Sequence, residues 1–174
     1  MADRARVLLF TGDGKGKTTA ALGTVLRAGG HGMRAMVIQF VKSDARTGEI
    51  AGLNIIGADI MQTGLGFIPP PDNPEYEKHC QAARAGMEEA EKAVGSSMYD
   101  VIVLDEICVA VWKGLVPEKD VLALIEKAPS GICIILTGRG AADALIGAAD
   151  TVTEMRMVKH GYRAGIPEQK GVEY

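Results

Sequence analysis

Val7-Leu8-Leu9-Phe10-Thr11-Gly12-Asp13-Gly14-Lys15-Gly16-Lys17-Thr18-Thr19 carries a short apolar run through a glycine-rich turn into a helical pattern. The apolar run reads as a buried strand, and good helix formers fill Thr18 to Ala28. Glycines in the turn let successive backbone N–H groups curl around phosphate oxygens, and the helix N-terminus adds positive potential. Lys17 is placed to reach outer phosphates and the Thr18 hydroxyl to ligate magnesium. A phosphate-binding P-loop requires this strand–loop–helix setting. Thr11, Gly12, Asp13, Gly14, Lys15, Gly16, Lys17, Thr18 and Thr19 are therefore the candidate nucleotide-binding residues. The pattern departs from the usual P-loop at one point, where Thr11 stands in place of the first glycine. A glycine-rich turn with two solvated lysines is the plainer alternative at this stage.

The same alternation continues along the chain. Ala35 to Val41, Val101 to Leu104, Ile132 to Leu136 and Thr151 to Met155 read as strands, with a shorter one over Asn54 to Met61. Helical patterns fall at Tyr76 to Val94, Pro117 to Ala128 and Ala141 to Ala149. In the first of these, Tyr76, Cys80, Ala83, Met87, Ala90 and Val94 form an apolar stripe, which puts His79 on the charged side. Leu65 to Pro74 holds four prolines and reads as a loop, and residues 156 to 174 as a polar tail. Uninterrupted apolar strands alternating with helices predict an α/β, three-layer, P-loop NTPase-like fold with a mainly parallel sheet.

At 174 residues, with 47% apolar and 24% charged side chains, the chain has the size and composition of one domain, 1–174. A net charge of −3 gives no general attraction to nucleic acid or anionic lipid. The opening Met1-Ala2-Asp3-Arg4-Ala5-Arg6 and the short apolar run after it fit neither a signal peptide nor a membrane span. Cys80, Cys108 and Cys133 are far apart and lack zinc-site spacing, so they read as reduced thiols of a cytoplasmic protein.

Two further segments carry chemistry. Tyr99-Asp100-Val101-Ile102-Val103-Leu104-Asp105-Glu106 is an apolar strand ending in an acidic pair, similar to a Walker B strand whose carboxylate sits near magnesium. Glu106 is the metal candidate beside Thr18, with helix capping as its plainer role. Thr137-Gly138-Arg139-Gly140 ends another strand, and Arg139 can pair with phosphate. Ligands bind outside the carboxyl ends of parallel strands, so the P-loop, Gln39 to Lys42, Asp105-Glu106 and Thr137 to Gly140 are expected to share one cleft. His31, His79 and His160 form no catalytic arrangement, and Trp112 is expected in the core rather than in a ligand pocket.

Beyond these, Thr11 to Ala21, Gln39-Phe40-Val41-Lys42, Thr47-Gly48-Glu49, Leu104-Asp105-Glu106 and Thr137 to Gly140 form a familiar set. So do Val158-Lys159-His160, Ala164-Gly165-Ile166 and the closing Gln169-Lys170-Gly171-Val172-Glu173-Tyr174. Over the whole chain these residues resemble the ATP:corrinoid adenosyltransferases of cobalamin biosynthesis and salvage. The resemblance implies transfer of the 5′-deoxyadenosyl group of ATP to the Co(I) of a reduced corrinoid, with release of triphosphate. Co(I) is itself a strong nucleophile, so no protein base is required. Lys17, the loop N–H groups and Mg2+ held by Thr18 and Glu106 would stabilise the leaving triphosphate.

The family binds its nucleotide in an unusual polarity and shares the Thr11 departure, which speaks against ordinary hydrolysis. Known members carry a Phe-Thr-Trp segment that displaces the lower axial ligand of the corrinoid. Here the stretch is Thr63-Gly64-Leu65-Gly66-Phe67-Ile68-Pro69, with Leu65 and Phe67 as the replacements and no tryptophan. Phe67 thereby joins Lys17 as a candidate catalytic residue. Longer members also have a segment before the first strand, whereas this chain starts almost at it. The resemblance further implies a homodimer and a reduced flavoprotein as electron donor. The alternatives are a P-loop NTPase or small-molecule kinase, for which no water- or hydroxyl-activating residue can be named, and a nucleotide-switched binding module.

Overall fold

A computed structural model describes residues 4–173 of the chain. Met1, Ala2 and Asp3 of the opening segment and Tyr174 of the closing motif lie outside the described residues. In chain order the elements are β1 (Arg6–Thr11), α1 (Lys17–Gly30), β2 (Ala35–Gln39), α2 (Gly48–Ile55) and β3 (Asp59–Gln62). They continue with α3 (Tyr76–Gly95), β4 (Val101–Asp105), α4 (Ile107–Trp112) and α5 (Glu118–Lys127). The last are β5 (Cys133–Thr137), α6 (Asp143–Ala148), β6 (Thr151–Glu154) and a short 3-10 helix over Gly161–Ala164.

The six strands form one sheet in the order β3-β2-β4-β5-β1-β6, with every pairing parallel. Strand side chains alternate between the faces with a period of two. Val7, Leu9, Met36, Ile38, Ile102, Leu104, Ile134 and Leu136 pack against α3, α4, α5 and α6. Val37, Val101, Val103 and Ile135 face the other way, onto Ala21, Val25 and Ala28 of α1 and Leu53 of α2. Both faces are dry over the central strands β2, β4 and β5, which is why these read as continuous apolar runs. The fold is the α/β, three-layer, parallel arrangement expected.

Four local expectations are corrected. Asn54 and Ile55 belong to α2, which closes on Gly57 in the left-handed region with the Ala58 N–H donating to the Leu53 carbonyl. Strand pairing begins only at Asp59, because the short apolar run Ile55-Ile56 has no period of its own to separate helix from strand. The helix α4 was absent from the sequence reading, since its residues Ile-Cys-Val-Ala-Val-Trp look like more strand. Glu106, with φ 63, turns the chain off the sheet and starts it. His79 is buried, as the inward line of α3 runs through His79, Ala83, Gly86, Ala90 and Ala93 and leaves Tyr76 and Cys80 at its border. Trp112 is not in the core; its position is described below.

Among the described residues no helix is long and apolar enough to cross a membrane.

Packing of α3 onto the sheet depends on Gly86. A Cβ there would stand 2.6 Å from Thr63 Oγ1 and 2.9 Å from the Phe40 ring. In α1, a Cβ at Gly23 meets nothing within 4 Å. Both substitutions to alanine gain helix propensity of about 1 kcal/mol. Gly23→Ala should therefore stabilise the protein by up to about 1 kcal/mol, while Gly86→Ala should destabilise it by about 1–3 kcal/mol through overpacking. Urea unfolding of the two variants side by side checks the contrast.

Candidate active site

The carboxyl ends of β2, β4 and β5 carry a row of polar residues. Gln39 pairs in register with Gln62 on one side and Asp105 on the other. The Asp105 carboxylate is fully buried. Its Oδ1 accepts hydrogen bonds from the Thr18 and Thr137 hydroxyls, both at 2.8 Å, and its Oδ2 accepts from Gln39 Nε2 at 3.0 Å. Gln39 Oε1 in turn accepts from Gln62 Nε2. A carboxylate without partners here would be costly, and this one is served from α1, β2 and β5 together. Thr137 also accepts from the Glu106 N–H at 2.9 Å, which fixes the turn into α4.

The glycine-rich loop curls above this row. The Gly14 N–H donates to the Met155 carbonyl at 2.6 Å, and a Cβ on Gly14 would stand 2.7 Å from that same oxygen. Lys17 is only 6% exposed, and its ammonium donates to the Gly12 and Gly14 carbonyls, each at 2.7 Å. Burial lowers its pKa, and nearby Arg139 acts in the same direction against the acids Glu106, Asp13 and Asp105. Its charge is thus poorly solvated and held inside the loop, a suitable state for meeting phosphate.

A cleft of about 760 Å³ opens over the loop. Of the P-loop candidates, Gly14, Lys15, Gly16, Lys17, Thr18 and Thr19 line it, together with Glu106 and Arg139. Thr11, Gly12 and Asp13 do not. The Thr11 and Gly12 carbonyls instead accept from Met155 N–H and Lys17, so their work is to shape the loop. Lys42 and Glu49 form an opposing wall, joined by a 2.5 Å ion pair, with Lys42 Nζ 3.8 Å from Asp105 Oδ2. Burial alone would raise the Glu49 carboxyl, but the Lys42 hydrogen bond, its own backbone amide and Gln39 outweigh it and hold the pKa low. Sequence reasoning placed Gln39 to Lys42 at this end of the sheet but missed the Lys42–Glu49 pair. Their spacing across a loop gives no local signal.

Glu106 is the cleft-facing acid of the Asp105-Glu106 pair. Its pKa is raised, first by burial and then by the Asp105 charge, against Lys17, Lys42 and Arg139. Among the described residues no group of three or more His, Cys, Asp or Glu side chains gathers into a metal cage. The donors present suit magnesium nonetheless, because that ion takes one or two carboxylates plus substrate phosphates and water. Thr18 and Glu106 would supply the hard oxygens. Asp105, whose oxygens are already occupied, orients Thr18 from behind.

Two further placements matter. Trp112, expected in the core, is 61% exposed and lines the cleft, because the six-residue α4 ends where the Arg139 turn passes over it. Phe67 is 90% exposed, outside the cleft itself. Its loop is pinned beside the cleft, for the Gly66 N–H donates to the Val41 carbonyl at 2.8 Å and Val41 lines the cleft. The tail also arrives here. Val172 and Glu173 line the cleft, and Lys15 donates to Glu173 at 2.7 Å.

The model of the family described as ATP:corrinoid adenosyltransferase BtuR/CobO/CobP matches residues 3–174. The chain belongs to that family. A corrinoid adenosyltransferase of Pseudomonas aeruginosa is 38% identical over 172 residues, covering 99% of this chain and 85% of that protein. The corrinoid adenosyltransferase of Escherichia coli K12 and the corrinoid adenosyltransferase CobA of Salmonella typhimurium are each 36% identical, over 99% of this chain and 87% of theirs.

Folded Glu106 holds its proton more tightly than the unfolded chain does, whose carboxyl titrates near 4.5. Its contribution to stability is therefore full below that pH and is lost as pH rises through the folded value. Glu106→Gln should flatten this part of the stability–pH curve and be at least as stable as the parent at neutral pH. Denaturant midpoints from pH 4.5 upward measure it.

Proposed function

We propose that this cleft holds ATP with C5′ of the ribose presented to a reduced corrinoid. Membership of the family makes the chain a transferase that moves the adenosyl group of ATP to a corrinoid. The observation that carries the detailed reading is a phosphate cradle whose carboxylates are paired with lysines or set for a metal. Lys17, the loop N–H groups and Arg139 converge on one end of the cleft. Among the described residues the carboxylates there are Glu49, paired with Lys42, Glu173, paired with Lys15, and Glu106, which this reading assigns to magnesium.

Such a site suits a reaction whose nucleophile comes with the substrate. Co(I) supplies the electron pair, the Co–C5′ bond forms, and the C5′–O bond breaks with its electrons leaving on triphosphate. Positioning and charge stabilisation are then the protein's contribution. Lys17 leaves its two carbonyl partners to meet the developing negative charge. Arg139 and Lys15 extend the positive wall. Magnesium, when bound, neutralises phosphate charge, with Thr18 and Glu106 as its protein ligands.

Phe67 is the corrinoid-facing residue in this reading. Its exposure on a loop fastened to the cleft wall supports that role, and Leu65 stands beside it in the same loop. The proposal extends to residues 1–174 acting as one domain in the cytoplasm, as a homodimer, with a reduced flavoprotein supplying electrons for Co(I). These extensions rest on the resemblance described in the sequence analysis.

Lys17→Ala should lower kcat for adenosylcobalamin formation by about 100-fold or more, as loss of a single transition-state donor does. Phe67→Ala should raise the corrinoid KM while leaving the ATP KM unchanged. Anaerobic assays with chemically reduced cobalamin, read by the light-sensitive product spectrum, test both. Full activity in Lys17→Ala would remove the phosphate assignment. Equal loss of both substrates in Phe67→Ala would make that residue structural.

A further inference from the structure

The phosphate-binding part of the cleft leaves one prominent side chain without a task. Trp112 is the only tryptophan of the chain and, at 61% exposure, the only aromatic residue lining the cleft among the described residues. The other apolar lining residues, Leu22, Val41, Val109 and Val172, are aliphatic. An indole is seldom left this open without a partner, since its burial is worth more than that of most side chains.

Its position is built. The turn after β5 presents bare backbone to the ring: Gly140 has φ +65, and a Cβ there would stand 3.0 Å from Trp112 Cγ and Cδ2. Lys113 Nζ lies 4.5 Å from the ring centroid. An exposed cation over an aromatic face is a weak contact, readily exchanged for a stacked ring. Trp112 follows Glu106 by six residues, which places it roughly 9 Å along α4 at 1.5 Å rise per residue. Glu106 and Trp112 are therefore separated along the helix by about the extent of a nucleoside.

We propose that Trp112 is the platform on which the adenine base of ATP stacks. This rests on the reading of ATP as the adenosyl donor and names how its base is recognised. The phosphates are fixed by Lys17, Thr18 and the loop amides, so the planar group covalently attached to them is the one within reach of the indole. Stacking on an aromatic face tolerates any base, and it orients the nucleoside without consuming hydrogen bonds. Fixing the base also fixes the ribose between it and the phosphates. That makes Trp112 a positioning residue for C5′.

The single tryptophan makes the test direct. Intrinsic fluorescence of the wild-type protein should change on adding ATP or adenosine and stay constant with inorganic tripolyphosphate. By calorimetry, Trp112→Ala should bind ATP roughly 5- to 100-fold more weakly with its tripolyphosphate affinity unchanged, and Trp112→Phe should restore most of the loss. Unchanged ATP affinity in Trp112→Ala overturns the proposal. So does an equal loss for ATP and tripolyphosphate, which marks a structural role, and a loss confined to the corrinoid KM, which assigns the indole to the other substrate. Tryptophan-dependent ATP binding without any adenosylated corrinoid would leave the platform standing and remove the transferase reading. Adenosylation with tryptophan-independent ATP binding would do the reverse.

Discussion

The Asp105 carboxylate, sealed at the carboxyl end of β4, takes hydrogen bonds from the first turn of α1, from β5 and from β2. Taking such a charge out of water costs several kcal/mol unless its oxygens are occupied. Here each donor comes from a different element. The carboxylate therefore acts as a clamp on the geometry of the site. Thr18 is held where Asp105 needs it, and Lys17, one residue earlier in α1, is held with it. β5 lies between β1 and β4 in the sheet, and the Asp105 carboxylate bridges that gap by accepting from Thr18, just after the loop that follows β1, and from Thr137 of β5. Loss of that clamp would loosen both halves of the phosphate site at once.

A net charge of −3 conceals this local design. Lys15, Lys17, Lys42 and Arg139 all line one cleft, while Glu49 is paired with Lys42, Glu173 with Lys15, and Glu106 is the proposed magnesium ligand. The result is a positive end suited to a polyphosphate leaving group and poor in free bases. A hydrolase or kinase needs a group that takes a proton from water or a hydroxyl. A Co(I) nucleophile carries no such proton, and the composition of the cleft follows that difference in chemistry.

Much of this was legible in the residues. Buried parallel strands announce themselves as apolar runs, and the glycine-rich turn between Phe10 and Thr18 has the strand–loop–helix setting that a P-loop requires. The placements that failed share a cause: each depends on tertiary context that local periodicity does not carry. The α4 segment carries no helical signal in its β-branched and aromatic residues, and the left-handed Glu106 starts it. His79 is buried because the inward face of α3 is wider than the expected stripe, taking in His79, Gly86 and Ala93 beside Ala83, Met87, Ala90 and Val94, with Gly86 seated against Phe40 and Thr63. Trp112 reads as core because tryptophan usually is, yet it stands at the end of α4 with only the Gly140 turn, 28 positions later in the chain, set against its ring. The polar tail has no periodicity, yet Glu173 reaches Lys15 of the phosphate loop.

The bond that breaks in ATP separates an adenosyl transferase from every phosphoryl-transfer or hydrolytic P-loop protein. Phosphorus NMR of a single anaerobic reaction of the protein with ATP, magnesium and cob(I)alamin reads that bond directly. Intact tripolyphosphate, formed in equal amount to adenosylcobalamin, is the predicted result. ADP with inorganic phosphate, and no adenosylated corrinoid, would contradict attack at C5′ and place the chemistry at the γ-phosphate instead.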